Sequence, residues 1–214
     1  MSKSITERKE AWAQKMRERQ ASLAARTERS TDRLPPGQHE SKNFPVLDLG
    51  IHPKVSDDEW RLEIGGLVEN PMVLEWRDLE ALPQIEDVSD FHCVTTWSAF
   101  GVRWGGARFR DLIDLVRPAE GARFVFYTAY DGYTTNTPLE VLMDDDVLLA
   151  TKLGGKPLPV EHGGPARVVI PKLYAWKSAK FVRQIEFRAE DELGYWEKRG
   201  YSNSADPWLE ERFA

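Results

Sequence analysis

FVFYTAYDGYTTNT, residues 124–137, is the stretch on which the fold class turns. Aromatic and β-branched residues over Phe124–Tyr130 predict a strand, since such side chains pack well on a pleated surface. Asp131-Gly132 predicts a two-residue type I′ turn, and Tyr133–Thr137 then returns as the antiparallel partner. Outward from this hairpin the strand signals continue. Leu62 and Ile64 alternate with Arg61 and Glu63 over Trp60–Leu67, Asp144–Ala150 reads as a turn and a short strand, and RVVIP (167–171) and FVRQIEF (181–187) read as strands. Helices are short: Trp76–Leu82 is stopped by Pro83, and Phe109–Val116 carries Leu112, Ile113, Leu115 and Val116 as an apolar stripe ended by Pro118. No regular βαβ alternation occurs. The expectation is an α+β fold with a mixed, mainly antiparallel sheet system.

The chain has 214 residues, room for one domain with trimmings. Residues 1–36 are charged and sparsely apolar up to the LPPG break at 34–37. They predict a solvated helix or a disordered arm, with Ile5, Trp12, Met16 and Leu23 as sparse apolar residues and docking through Trp12 and Met16. Residues 37–214 are expected to form a single domain with a tail from about 189. The net charge of −6 is unevenly spread: residues 34–150 hold nine basic and twenty-one acidic side chains, residues 151–188 eight basic and two acidic. A long acidic surface argues against nucleic acid as a partner, whereas a local basic segment suits a small anion or a solvated basic face. One cysteine excludes an intrachain disulfide. There is no apolar run of membrane-spanning or signal-peptide length and no twin-arginine signal, so a cytoplasmic location is expected.

Two blocks could carry chemistry. In FHCVTTWS (91–98) a lone Cys93 is most often a small buried hydrophobe. Neighbouring residues on a strand point to opposite faces, which disfavours His92 as the base of a Cys93 nucleophile. Four scattered histidines give no paired ligand spacing for structural zinc. A soft thiolate that completes the shell of a metal held by a cofactor needs only one Cys. In EHGGPARVVIP (161–171) two glycines allow a close backbone approach, and Arg167 offers a rigid fork of donors suited to phosphate. Lys180, in YAWKSAK (174–180), could complete an oxyanion pocket; the plain alternative is that Arg167 and Lys177 are surface charges.

Taken in order, the blocks at Asn43-Phe44, at Cys93–Ser98, from Leu158-Pro159 through His162–Pro171, and at Tyr174–Lys180 resemble the sulfite-oxidase-like molybdopterin oxidoreductases over about residues 43–188. The resemblance implies a Mo-molybdopterin cofactor with Cys93 as metal ligand and catalytic centre. It implies cofactor contacts at Asn43, Thr128, His162, Arg167, Ser178, Ala179 and Lys180, and two-electron oxygen-atom transfer on a small S- or N-oxide or related substrate. A sulfoxide-type substrate and a separate electron-transfer partner follow from the same likeness. Arg103 and Trp97 are candidates for a substrate funnel. Sulfite oxidases proper carry a Cys-x-Gly-Asn-Arg type block and an immunoglobulin-like dimerisation domain, and this chain has neither. Its Cys-Val-x-x-Trp-Ser pattern is nearer to the periplasmic protein-methionine-sulfoxide reductases, which carry the export signal missing here. The readings that remain beside the molybdoenzyme are a non-redox protein for a phosphate-bearing ligand and a Cys93-dependent thiol enzyme.

Overall fold

A computed structural model describes residues 33–214; most of the expected arm, residues 1–32 with Trp12 and Met16, lies outside the described residues. Two sheets carry the fold. The first has six strands. β1 (His39–Glu40) runs parallel to β5 (Trp97–Arg108), while β4 (Gln84–His92), β8 (Leu148–Leu153), β9 (Lys156–Pro157) and β10 (Arg167–Val169) are antiparallel to their partners in the order β1-β5-β8-β10. The second has five strands in the order β3 (Met72–Glu75), β2 (Arg61–Gly66), β11 (Val182–Arg188), β6 (Phe124–Ala129), β7 (Thr134–Pro138); only β2 with β11 is parallel. Among the described residues two short α-helices accompany them, α1 (Trp76–Ala81) and α2 (Phe109–Val116). This is the mixed, mainly antiparallel α+β architecture expected.

The hairpin corrects one detail. A type I′ turn needs positive φ at both central residues, and of Asp131 and Gly132 only Gly132 has it, at 83°. Gly132 N donates to Ala129 O at 3.1 Å and Ala129 N to Tyr133 O at 2.9 Å, which closes a three-residue loop, Tyr130–Gly132. Asp131 Oδ1 accepts from Tyr133 N at 3.0 Å, the local side-chain bond that suits Asp to a turn.

The main core fills the space between the sheets, with Leu62, Ile64, Tyr127, Ile185 and Phe187 from one and Leu149 and Val168 from the other, closed by Leu112 and Val116 of α2. Complete burial of such side chains stabilises by about 1.5–3 kcal/mol each. Alternation along β8 and β10 sends Leu148, Ala150 and Val169 to the opposite face, where they meet Phe91, Cys93, Trp97 and Trp104 in a second cluster. Arg167 shares the parity of Val169 and so belongs to this second face. Among the described residues no helix is long and apolar enough to cross a membrane.

Candidate functional site

The second cluster ends in a cavity of about 310 Å³. Its wall brings together Cys93, His162, Arg167, Ser178 and Lys180, five of the eight residues singled out from the sequence. Asn43, Thr128 and Ala179 lie off the lining. Asn43 is exposed just before Phe44, which does line the cavity; Thr128 sits half-buried on β6; Ala179 is buried behind Ser178. Trp97 is on the wall, while Arg103 is exposed on β5 and pairs with Glu86 at 2.7 Å.

Cys93 follows the last residue of β4 and begins a tight turn that returns into β5: Thr96 N donates to Cys93 O at 3.1 Å and Cys93 N to Trp97 O at 2.9 Å. Its thiol lies 3.2 Å from Thr95 Oγ1, and burial raises its pKa against the opposing pull of Thr95 and Arg212. His92 takes another direction. Its Nδ1 meets Ser98 Oγ at 2.8 Å, and burial lowers its pKa to about 4, so it stands neutral at physiological pH and bonded away from Cys93.

The basic end of the cavity is built from backbone ties. Arg167 donates from Nη1 to His162 O and from Nη2 to Ser178 O, both at 2.9 Å, and from Nε to Val168 O at 3.3 Å. Its guanidinium carbon lies 5.3 Å from the ring centres of both Phe91 and Trp104. Only 3 % exposed, it has no carboxylate partner among the described residues, and burial pulls its pKa down to about 9, which leaves it charged at pH 7. Five N–H donors less three used leave two for a ligand. The surface-charge alternative for Arg167 and Lys177 therefore fails, because Lys177 is also buried, in an ion pair with Glu197.

Lys180 Nζ donates to Glu161 O at 2.7 Å and approaches Asp48 Oδ2 at 3.4 Å. Burial, and then the nearby Arg167, lower its pKa to about 8. His162 is lowered by burial, Lys180 and Arg167, and its ring stacks on Phe44 at 4.7 Å. The glycines of the HGG run serve a different approach from the one expected. A Cβ on Gly163 would stand 2.8 Å from Lys180 Cγ, and one on Gly164 would stand 2.1 Å from Leu158 O. They fold the loop tightly against the protein itself, which presents Lys180 to the cavity.

Several wall residues carry no site assignment from the sequence. Phe44, Asp48, Asp131, Tyr133, Trp176, Trp196 and Tyr201 arrive from loops and from the tail. The aromatic density of the tail, GYW at 194–196 and Tyr201, was the available signal. Trp97 Nε1 is buried with no hydrogen-bond partner among the described residues. A thiol, unused cationic N–H groups, aromatic walls and an orphaned donor together fit a ring-bearing, phosphorylated, metal-chelating cofactor.

Comparison with known proteins agrees. The family described as oxidoreductase molybdopterin binding domain matches residues 49–196. An uncharacterized oxidoreductase of Bacillus subtilis (strain 168), YuiH, is 43 % identical over 182 residues, 85 % of this chain and 92 % of its own length. The protein-methionine-sulfoxide reductase catalytic subunit MsrP of Campylobacter jejuni is 32 % identical over 155 residues, 64 % of this chain and 52 % of that protein, so the chain spans about half of that relative. The sulfane dehydrogenase SoxCD of Paracoccus pantotrophus shares the fold, with TM-score 0.59 and 23 % identity over 65 % of this chain and 40 % of that one. The chain therefore belongs to the molybdopterin-binding oxidoreductases of sulfite-oxidase-like fold, enzymes that work with a molybdenum cofactor.

Proposed function

We propose that the protein catalyses oxygen-atom transfer on a small S- or N-oxide or related substrate, with Cys93 as the protein ligand to molybdenum. The observation that carries this reading is the convergence of one thiol with Arg167, Lys180 and His162 in a single aromatic-walled cavity. When bound, the cofactor supplies two-electron oxygen-atom chemistry, and the chain holds and orients it. Arg167 and Lys180 neutralise the phosphate end. The Ser178 hydroxyl, which accepts from Ile170 N at 3.0 Å, still has its proton to donate. Phe44, Trp97, Trp176 and Trp196 exclude water around the ring system. For Asn43, Thr128 and Ala179 as cofactor contacts the support is the family resemblance alone.

A sulfoxide substrate is supported by the likeness to a methionine-sulfoxide reductase subunit and by exposed Val46 and Leu47 beside Phe44 and Asp48 of the wall. Electrons would come from a separate partner. We assign residues 37–214 to one cofactor-binding domain whose tail contributes to the wall. We also assign it to the cytoplasm, on the support of a single thiol that can form no disulfide within the chain.

The test is Cys93→Ser. With reduced viologen as donor and methionine sulfoxide or trimethylamine N-oxide as acceptor, turnover should vanish while pterin content stays near that of the parent. The harder alkoxide changes the metal's redox behaviour but leaves the phosphate anchor intact. Full activity in the Ser variant at equal molybdenum content refutes the ligand assignment.

A further inference from the structure

The turn that carries Cys93 is strained and is held from outside. Thr96, a β-branched residue, has φ 76°, a region such side chains avoid unless their surroundings over-determine it. Three outward carbonyls of the turn are each gripped by a distant segment. Gln38 Nε2 donates to Cys93 O at 3.1 Å, His39 N to Thr96 O at 2.8 Å, and Arg212 Nη1 to Val94 O at 2.7 Å. Arg212 is the longest reach of the three and the only charged donor. It is itself fixed, with its guanidinium carbon 5.1 Å from the Tyr174 ring centre and Nη2 3.4 Å from Pro36 O. Its backbone carbonyl accepts from Ser202 N at 3.1 Å. All three gripping residues lie outside the family match at 49–196.

We propose that Arg212 is a positioning residue for the metal ligand: by holding the Val94 carbonyl it sets the direction in which Cys93 Sγ enters the cavity. The proposal rests on the reading of Cys93 as the molybdenum ligand. A charge-assisted bond to a carbonyl next to the ligand restricts the turn to one arrangement, and its loss lets the turn open locally.

The experiment uses the full chain with Arg212→Met, Arg212→Lys and, as a control on tail docking, Phe213→Ala, which removes the 5.4 Å ring contact with Tyr201 and no bond to the turn. Two readouts are taken. In cofactor-free protein, alkylation by iodoacetamide followed over a range of pH reports a single site, because Cys93 is the only thiol, and its limiting rate for the full thiolate separates access from the rise in thiol pKa that loss of the nearby Arg212 charge brings. Arg212→Met should raise it roughly tenfold, Arg212→Lys far less, and Phe213→Ala little, as expected for loss of one charged hydrogen bond. In loaded protein at matched molybdenum and pterin content, the Mo(V) paramagnetic resonance signal should shift or become heterogeneous in the Met variant and return toward the parent in the Lys variant. An unchanged rate and signal in Arg212→Met overturns the proposal, and so does a Phe213→Ala variant with effects equal to those of Arg212→Met. Failure of the underlying reading shows elsewhere: Cys93→Ser would then leave the Mo(V) signal unaltered, whatever the alkylation rates.

Discussion

Lys180 shows how far a single side chain can be read as chemistry. Its ammonium is pressed by burial and by Arg167, with Asp48 and Asp131 partly offsetting them, and its pKa falls from 10.5 to about 8. The sign for folding is clear. The cofactor-free fold disfavours the charged form, so the penalty is present below about pH 8 and is relieved as pH rises toward 10.5. Anion binding runs the other way, because the charge that attracts a phosphate is lost as pH rises through about 8. Reconstitution with molybdopterin should thus weaken between about pH 7 and 9, while Lys180→Arg, which keeps its charge, should flatten the curve. A parent protein whose loading is level from pH 6.5 to 9.5 would show that Lys180 does not face the phosphate. Cys93, Arg167 and Lys180 drew notice by their own chemistry and His162 and Ser178 through the ordered family resemblance, and the cavity brings all five together. Asp48 and Arg212 carried no such signal, because each meets the site only by a contact across the fold: the approach to Lys180 and the bond to Val94.

Elements follow the same division. Phe109–Val116 was bounded to the residue, because its stripe, its left-handed cap at Arg117 (φ 50°) and Pro118 all act within a few positions, although Leu115 of the expected stripe is exposed and Phe109 is buried in its stead. The β4–β5 hairpin, the longest ladder in the molecule, left no comparable trace. β4 is an edge strand with Glu86, Asp87 and Asp90 among its exposed and half-buried positions, and β5 is broken up by Gly101, Gly105 and Gly106, which weaken any strand signal. The glycines have a tertiary cause. β5 shifts register against β8 between Gly105 and Gly106, and a Cβ on Gly106 would stand 2.2 Å from Leu149 O and 2.7 Å from Ala150 Cα. Gly106→Ala should therefore cost about 1–3 kcal/mol through backbone displacement. Gly65→Ala on β2, where nothing lies within 4 Å, should be close to neutral. Thermal midpoints of the two variants decide it, and equal midpoints would mean that the β5–β8 contact is slack.

Across the whole molecule the tail is tied down by a buried polar network. Lys177 and Glu197 are almost fully enclosed and paired, Thr135 Oγ1 donates to Glu197 at 2.9 Å, Trp176 Nε1 at 3.2 Å, and Lys177 Nζ reaches Asn136 Oδ1 at 2.7 Å. The pair holds Glu197 ionised below the usual carboxylate range, though burial opposes it. Lys177→Met should cost about 3–5 kcal/mol, since it strands a buried charge, and Lys177→Met with Glu197→Leu should recover much of that loss. Denaturant titration of the single and double variants measures this; a double variant no more stable than the single would mean that the hydrogen-bonding partners, not the charge, dominate. The network sits one residue from Trp196 and four from Tyr201, so it also fixes the cavity wall. A further consequence concerns truncation. Trimmed to residues 49–196, the chain would keep Cys93, His162, Arg167, Ser178 and Lys180 and would still look like a complete domain by sequence. It would lack Gln38, His39 and Arg212, the three grips described above on the carbonyls of the turn. The shortest recognisable fragment and the smallest unit able to aim the thiol are therefore two different lengths of chain, and the shorter one would also lose Glu197 and strand the buried charge of Lys177.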